Sequence, residues 1–161
     1  MLVQAGWQHT SPRHEKSRTM ADKRTHITRS ISAPVETVWA LLVDADTWTQ
    51  WNPTIIKLVG PIEVGNKVEL VSTVNPKRTF KLRVDELSAP RRMVWSDGMP
   101  LGLFTGTRTY TVEPAGEGCV FTMTEEYTGP LSGLISKSIP DMNPSFVEFA
   151  DGLKAAAEVA G

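Results

Sequence analysis

The chain has 161 residues, 40% hydrophobic and 22% charged, with a formal net charge of −1 at pH 7. That length points to one domain large enough to need no disulfide or metal staple, and the balance excludes wholesale disorder. The near-neutral charge argues against a nucleic-acid partner, the single Cys119 excludes an internal disulfide or cysteine-rich zinc module, and the longest apolar run, Val38–Val43, is far too short for an integral membrane segment.

The chain opens on a compositional seam. Residues 1–24 hold five Lys/Arg against two Asp/Glu, whereas the remainder holds 12 against 16. The leader has no sustained apolar period and lacks the apolar core of a secretory signal. Residues 1–23 therefore read as a disordered extension of a cytoplasmic protein, with Met20 a candidate native start and residues 1–19 dispensable. A short arm packed on the domain is the alternative. The domain is expected over residues 24–161.

Thr25–Ile31 alternates and is β-branched, which predicts a strand. Pro34, followed by Glu36, opens a helix in which Val35, Val38, Trp39 and Leu42 recur at helical spacing, with Ser32 a candidate cap. Thr47–Trp51 reads as a second short helix, ended by Asn52-Pro53. Strands are then expected over Thr54–Val59, Lys67–Val74, Thr79–Leu87 and Arg91–Ser96, separated by Pro/Gly/Asn turns. In the third of these, Phe80, Leu82 and Val84 alternate with Lys81, Arg83 and Asp85, the signature of a half-buried strand. Leu103–Val112 and Cys119–Thr128 flank a loop over residues 113–118 and predict a hairpin.

Leu131–Ile139 reads as helical, broken by Pro140 and Pro144. From Asn143-Pro144, a good cap and first-turn pair, the apolar residues Met142, Phe146, Phe149, Leu153, Ala156 and Ala160 step by three or four. The order is strand, two short helices, about six strands, one long helix. An antiparallel sheet with one apolar face needs a cover, and the terminal helix supplies it. The fold class is α+β, a curved antiparallel sheet of six or seven strands gripping a C-terminal helix. Phe146, Phe149 and Leu153 are expected to be buried against the concave face through Phe80, Leu82 and Val84 or their neighbours.

The stretch Ile31-Ser32-Ala33-Pro34-Val35-Glu36-Thr37-Val38-Trp39-Ala40-Leu41-Leu42, followed by Trp48-Thr49-Gln50-Trp51-Asn52-Pro53, resembles the opening of the polyketide cyclase/dehydrase and lipid-transport family. That family belongs to the START-like (SRPBCC) superfamily. Pro90-Arg91-Arg92-Met93-Val94-Trp95, Tyr110-Thr111-Val112-Glu113-Pro114 and Phe149-Ala150-Asp151-Gly152-Leu153-Lys154 extend the resemblance over about residues 24–160. It implies a helix-grip (START-like) fold with a deep apolar cavity between sheet and terminal helix. It also implies a small hydrophobic ligand, such as a lipid or polyketide, since members bind such molecules and only some are enzymes. It carries no catalytic signature that transfers residue by residue and implies no cofactor.

The folded region has one histidine, His26, which leaves no His-rich metal site and little basis for histidine catalysis. No glycine-rich phosphate loop is present. Cys119 reads as a small core residue rather than a nucleophile. Of the tryptophans, Trp39 and Trp48 read as core. Trp95, on an inward strand face, and Trp51, at the cavity mouth, are pocket candidates.

Period two places Phe104, Arg108 and Tyr110 on one face of their strand, and Phe121, Met123 and Glu125 on one face of the next. Arg108 and Glu125 then become near-diagonal neighbours. Two readings fit this pair. It is a polar anchor inside an apolar pocket, orienting a ligand carbonyl, carboxylate or hydroxyl, or it lies at a strand end open to solvent or beyond a bulge that flips the face. Asp97, in phase with Met93 and Trp95, is a further polar candidate.

Three function classes follow. The leading one is carriage or sensing of a small hydrophobic or amphipathic molecule. The second is a cofactor-independent cyclase, dehydratase or isomerase in which Glu125 is the general acid or base. The third is a protein-interaction module, which requires a closed cavity and an exposed apolar patch.

Overall fold

A computed structural model describes residues 24–160. The leader expected at residues 1–23, with its Met20 start, lies outside the described residues. Seven strands form one antiparallel sheet: β1 (Arg24–Ile31), β2 (Ile55–Val59), β3 (Lys67–Ser72), β4 (Phe80–Ser88), β5 (Arg92–Gly98), β6 (Thr105–Ala115) and β7 (Gly118–Thr128). Their order is β1-β7-β6-β5-β4-β3-β2, so β2 to β7 meander and β1 returns beside β7. Helix α1 (Val35–Val43), a 3-10 turn (Ala45–Thr47) and α2 (Trp48–Trp51) separate β1 from β2. After β7 come α3 (Ser132–Ile135), a second 3-10 turn (Ser136–Ser138) and the long α4 (Asn143–Ala160). This is the expected sheet gripping a terminal helix.

Local differences have local causes. Pro34 caps α1 in an extended conformation with no side-chain bond. Ser32 does not cap: its backbone N–H donates to the Glu158 carboxylate at 3.0 Å. The loop expected over residues 113–118 shrinks to a two-residue turn, because the β6–β7 ladder continues to Ala115 opposite Gly118. Gly116, at φ 58°, supplies the left-handed step that turn requires.

Helix α4 buries Phe146, Phe149, Ala150, Leu153 and Ala157. Its buried stripe therefore closes on Ala157, with Ala156 only half-buried and Ala160 exposed, not on the expected Ala156 and Ala160. The C-terminal half is tied to β1. Arg29 donates to Asp151 at 2.9 Å, and Lys154 Nζ donates to the Ser30 carbonyl at 2.8 Å. At Gly152 the helix backbone closes on α2, where a Cβ would stand 2.3 Å from the Trp51 carbonyl oxygen. These ties hold one half of α4 down at the β1 edge, and the half that begins at Asn143 stands over the sheet's other strands.

An aromatic cluster fills the ground between. Trp48 is fully buried and donates its indole N–H to the Leu42 carbonyl at 3.0 Å. Its ring stacks on Trp95 at 5.3 Å and meets Phe149 edge-on at 5.3 Å. Phe149 also packs on Trp51, Tyr110 and Phe121, at 5.3, 5.8 and 6.0 Å. The sheet partners of Phe149 are concave-face residues of β6 and β7 rather than Phe80 and Leu82 themselves. Those two are only half-buried, and they face the cavity described next.

Candidate functional site: an internal cavity with one polar cluster

Strand register lays three rows of side chains across β5, β6 and β7. One row is Asp97, Gly106 and Tyr127; the next is Trp95, Arg108 and Glu125; the third is Met93, Tyr110 and Met123. No register shift interrupts β6 and β7 between Thr105 opposite Thr128 and Ala115 opposite Gly118, so period two carries through. Arg108 and Glu125 are directly opposite rather than diagonal neighbours.

The first two rows, with Met123 from the third, floor a cavity of about 540 Å³, whose other walls come from β3, β4, the 135–142 segment and the first turns of α4. Of the residues singled out in the sequence, Trp95, Phe104, Arg108, Met123, Glu125 and Asp97 line it. Trp51, Tyr110 and Phe121 do not. Their rings pack with Phe149 in the aromatic cluster behind the lining, where α2 tucks under α4 instead of standing at the mouth. The exposed residues Val74, Asn75 and Arg78 also line the cavity, so it communicates with the surface. It is not the closed interior that an interaction module required.

Sequence reasoning missed several walls. Tyr127 is in phase with Glu125, a signal that period two already contained. Its place in the row is opposite Gly106, whose missing side chain leaves room: a Cβ there would stand 3.4 Å from the Tyr127 ring. Ile135, Ile139 and Met142 come from the broken helical segment, and Arg78 and Phe80 from the β3–β4 turn. Periodicity marked Phe80 and Met142 as apolar-face residues but not as cavity walls, since the position of all of these depends on how chain connections fold back.

The polar cluster is compact. Arg108 Nε donates to Glu125 Oε2 at 3.1 Å, and Nη2 donates to the same oxygen. The Tyr127 hydroxyl donates to Glu125 Oε1 at 3.1 Å. The Arg108 and Glu125 side chains are 17% and 15% exposed, so the pair is largely shielded from bulk water. The guanidinium also lies over the Phe146 ring, 5.0 Å from its centroid. Phe104 stacks on Tyr127 at 5.7 Å and holds the phenol against the carboxylate.

Burial pulls the Arg108 pKa down, but the facing Glu125 carboxylate more than offsets this and raises it. Burial pushes the Tyr110 phenol up to about 12, against an opposing pull from Arg108. Burial, then the Glu125 charge, raise the Tyr127 phenol as well. Both tyrosines thus keep their protons at neutral pH. The Tyr110 hydroxyl lies near Arg108 without completing a hydrogen bond, and the Trp95 indole N–H likewise lacks a partner. Cys119 is buried in the core, and burial followed by the Glu36 charge raises its pKa, consistent with a packing role. Among the described residues no group of three or more His, Cys, Asp or Glu is placed to hold a metal.

The curved antiparallel sheet closed on its C-terminal helix is a helix-grip (START-like) fold. The chain belongs to the polyketide cyclase / dehydrase and lipid transport family, whose profile matches residues 23–158. No curated protein matches the chain. Solved structures share its fold. A Chromobacterium violaceum protein is 23% identical over 84% of this chain and 96% of its own, with a TM-score of 0.64. A truncated norcoclaurine synthase from Thalictrum flavum is 19% identical over 83% of this chain and 92% of its own, at 0.62. A START superfamily protein from Mycobacterium smegmatis is 14% identical over 86% of this chain and 99% of its own, at 0.62. Among the described residues no helix is long and apolar enough to cross a membrane.

Proposed function

We propose that the protein binds a small hydrophobic or amphipathic molecule in this cavity, for carriage or sensing. One observation carries the reading: a cavity of about 540 Å³, walled by Trp95, Phe104, Phe146 and Phe149, holds one hydrogen-bonded polar cluster. That volume falls within the range of about 300–1,000 Å³ for small-molecule sites, and apolar walls with few polar groups are their usual chemistry. The apolar body of the ligand gains from leaving water, and the Arg108–Glu125–Tyr127 cluster orients its polar end.

Native mass spectrometry of gently purified protein tests this, together with titration of an environment-sensitive apolar dye. A small-molecule adduct, or saturable dye binding that Ser145→Trp abolishes without lowering Tm, is the expected result. Ser145 lines the cavity from α4 and is half-buried, so an indole there occupies ligand space. Absence of both adduct and dye binding overturns the reading.

One feature favours a second reading, a cofactor-independent cyclase or dehydratase acting on a polyketide-like substrate. The Tyr127 hydroxyl donates a hydrogen bond to the Glu125 carboxylate on the cavity wall. Glu125 is the base in that reading and Tyr127 the proton donor. Glu125→Gln then abolishes turnover of a bound polyketide-like substrate while the substrate still binds. A pure carrier converts nothing in either form.

A further inference from the structure

The geometry points to a ligand whose buried polar group is an uncharged hydrogen-bond acceptor, a ketone or similar carbonyl, and to discrimination against carboxylates and amines at that position. This rests on the cavity-binding reading above and specifies the chemistry of the same site.

The charges on the lining cancel. Arg78 and Arg108 are its cations, and Asp97 and Glu125 its anions. Arg78 stands at the exposed lip, over the Phe80 ring at 4.4 Å, where water screens its charge. Asp97 accepts from the Gly98 backbone N–H at 2.8 Å. Deep in the site, Arg108 is already neutralised. Both of its bonds to Glu125 end on Oε2, and the other oxygen, Oε1, takes the Tyr127 hydroxyl.

A ligand carboxylate brought to Arg108 therefore meets Glu125 across the same guanidinium. Two like charges at that range in a shielded site repel strongly. A ligand ammonium meets the Arg108 charge in the same way. A neutral oxygen meets neither penalty. It finds donors instead, because neither bond to Glu125 uses Arg108 Nη1. A guanidinium N–H can only donate, so an acceptor is what completes this corner. The raised phenol pKa of Tyr127 keeps that side chain a donor to Glu125, which holds the carboxylate in place.

Matched probes test the inference. Two series, 2-acetylphenanthrene with phenanthrene-2-carboxylate and 2-(aminomethyl)phenanthrene, and 2-decanone with decanoate and decylamine, are titrated calorimetrically near neutral pH. In the wild-type protein each ketone that binds should do so at least about tenfold tighter than its matched acid and amine, a gap of about 1.4 kcal/mol. Glu125→Gln keeps the side chain's shape and removes its charge. In that variant the acid should gain at least about tenfold, because Arg108 is then free to pair with it. If Glu125→Gln does not fold, the wild-type order decides alone. An acid or amine that binds as tightly as its ketone overturns the neutral-acceptor assignment and leaves the cavity reading standing. Failure of every probe in both series overturns the cavity reading, and this assignment with it.

Discussion

Replacing Arg108 alone should cost more than replacing Arg108 and Glu125 together. In Arg108→Leu the Glu125 carboxylate keeps only the Tyr127 hydroxyl, in a site where its side chain is 15% exposed. Stranding one member of a buried ion pair costs about 3–5 kcal/mol. The cavity admits some water to this pair, which places the expected loss near the lower end, about 3 kcal/mol. For a domain of this length each kcal/mol moves Tm by about 2–4 °C, so the single variant should melt roughly 10 °C lower. Glu125→Leu strands Arg108 and should cost a similar amount. The double variant Arg108→Leu/Glu125→Leu puts two apolar side chains of comparable bulk on a wall already lined by Phe146 and Met123. Such replacements are close to neutral or better, less about 1 kcal/mol for the Tyr127 hydroxyl that loses its acceptor. Urea unfolding of the four proteins, with m-values compared, closes the cycle. If both single variants lose under about 1 kcal/mol and their effects add, solvent screens the pair and the shielded-anchor reasoning fails.

Phe149→Ala should lose about 3–5 kcal/mol in the same assay, since the ring is 2% exposed and contacts Trp48, Trp51, Tyr110 and Phe121; a loss under about 1 kcal/mol would mean that the aromatic cluster is not the core. Tyr110 has a folded-state pKa pushed up to about 12, against an ordinary value near 10. Its protonated form is favoured by folding, so that contribution is intact below pH 10 and is lost as pH rises from about 10 to about 12, by roughly 2–3 kcal/mol. Tyr110→Phe should remove that part of the alkaline loss in pH-dependent melts and cost little at neutral pH, because the hydroxyl has no partner to lose. Gly152→Ala adds a methyl 2.3 Å from the Trp51 carbonyl oxygen. It should lower Tm by several degrees despite alanine's better helix propensity, and an unchanged or higher Tm would refute the close helix contact.

How far the sequence reached depended on how regular the backbone was. Where strands run without a shift, period two located the residues that share a row. Trp95, Arg108 and Glu125 meet because β5, β6 and β7 stay in step. The β4–β5 ladder shifts between Val84 and Glu86, and no alternation marks where such a shift falls. Helical spacing marked Phe146, Phe149 and Leu153 as the buried face of α4. Spacing gives a face, though, and not what opposes it. Phe149 met Trp48 and Trp51 of α2 as well as Tyr110 and Phe121 of the sheet. The seating of α2 against α4 is a tertiary choice, made possible by the close approach at Gly152.

The cavity itself follows from where α4 is anchored. Every named tie between α4 and β1 or its exit lies at or beyond Asp151: Arg29 with Asp151, Lys154 with the Ser30 carbonyl, Glu158 with the Ser32 N–H. Before that point the helix offers Ser145, Phe146 and Phe149 to the cavity, with Met142 just ahead of it. The sheet's far half cannot rise to meet them, because β3 and β4 are held by their own ladder and Val68 and Val84 are already fully buried. Dry voids of this size in a packed interior forfeit dispersion contacts on every wall. Polar groups at one end change that balance, since water or a ligand can occupy the space and satisfy them. Arg108, Glu125 and Tyr127 sit at such an end. An apolar replacement of the pair that also fills the space should thus raise stability at the expense of ligand binding, the trade expected where a polar cluster is kept for recognition rather than for folding.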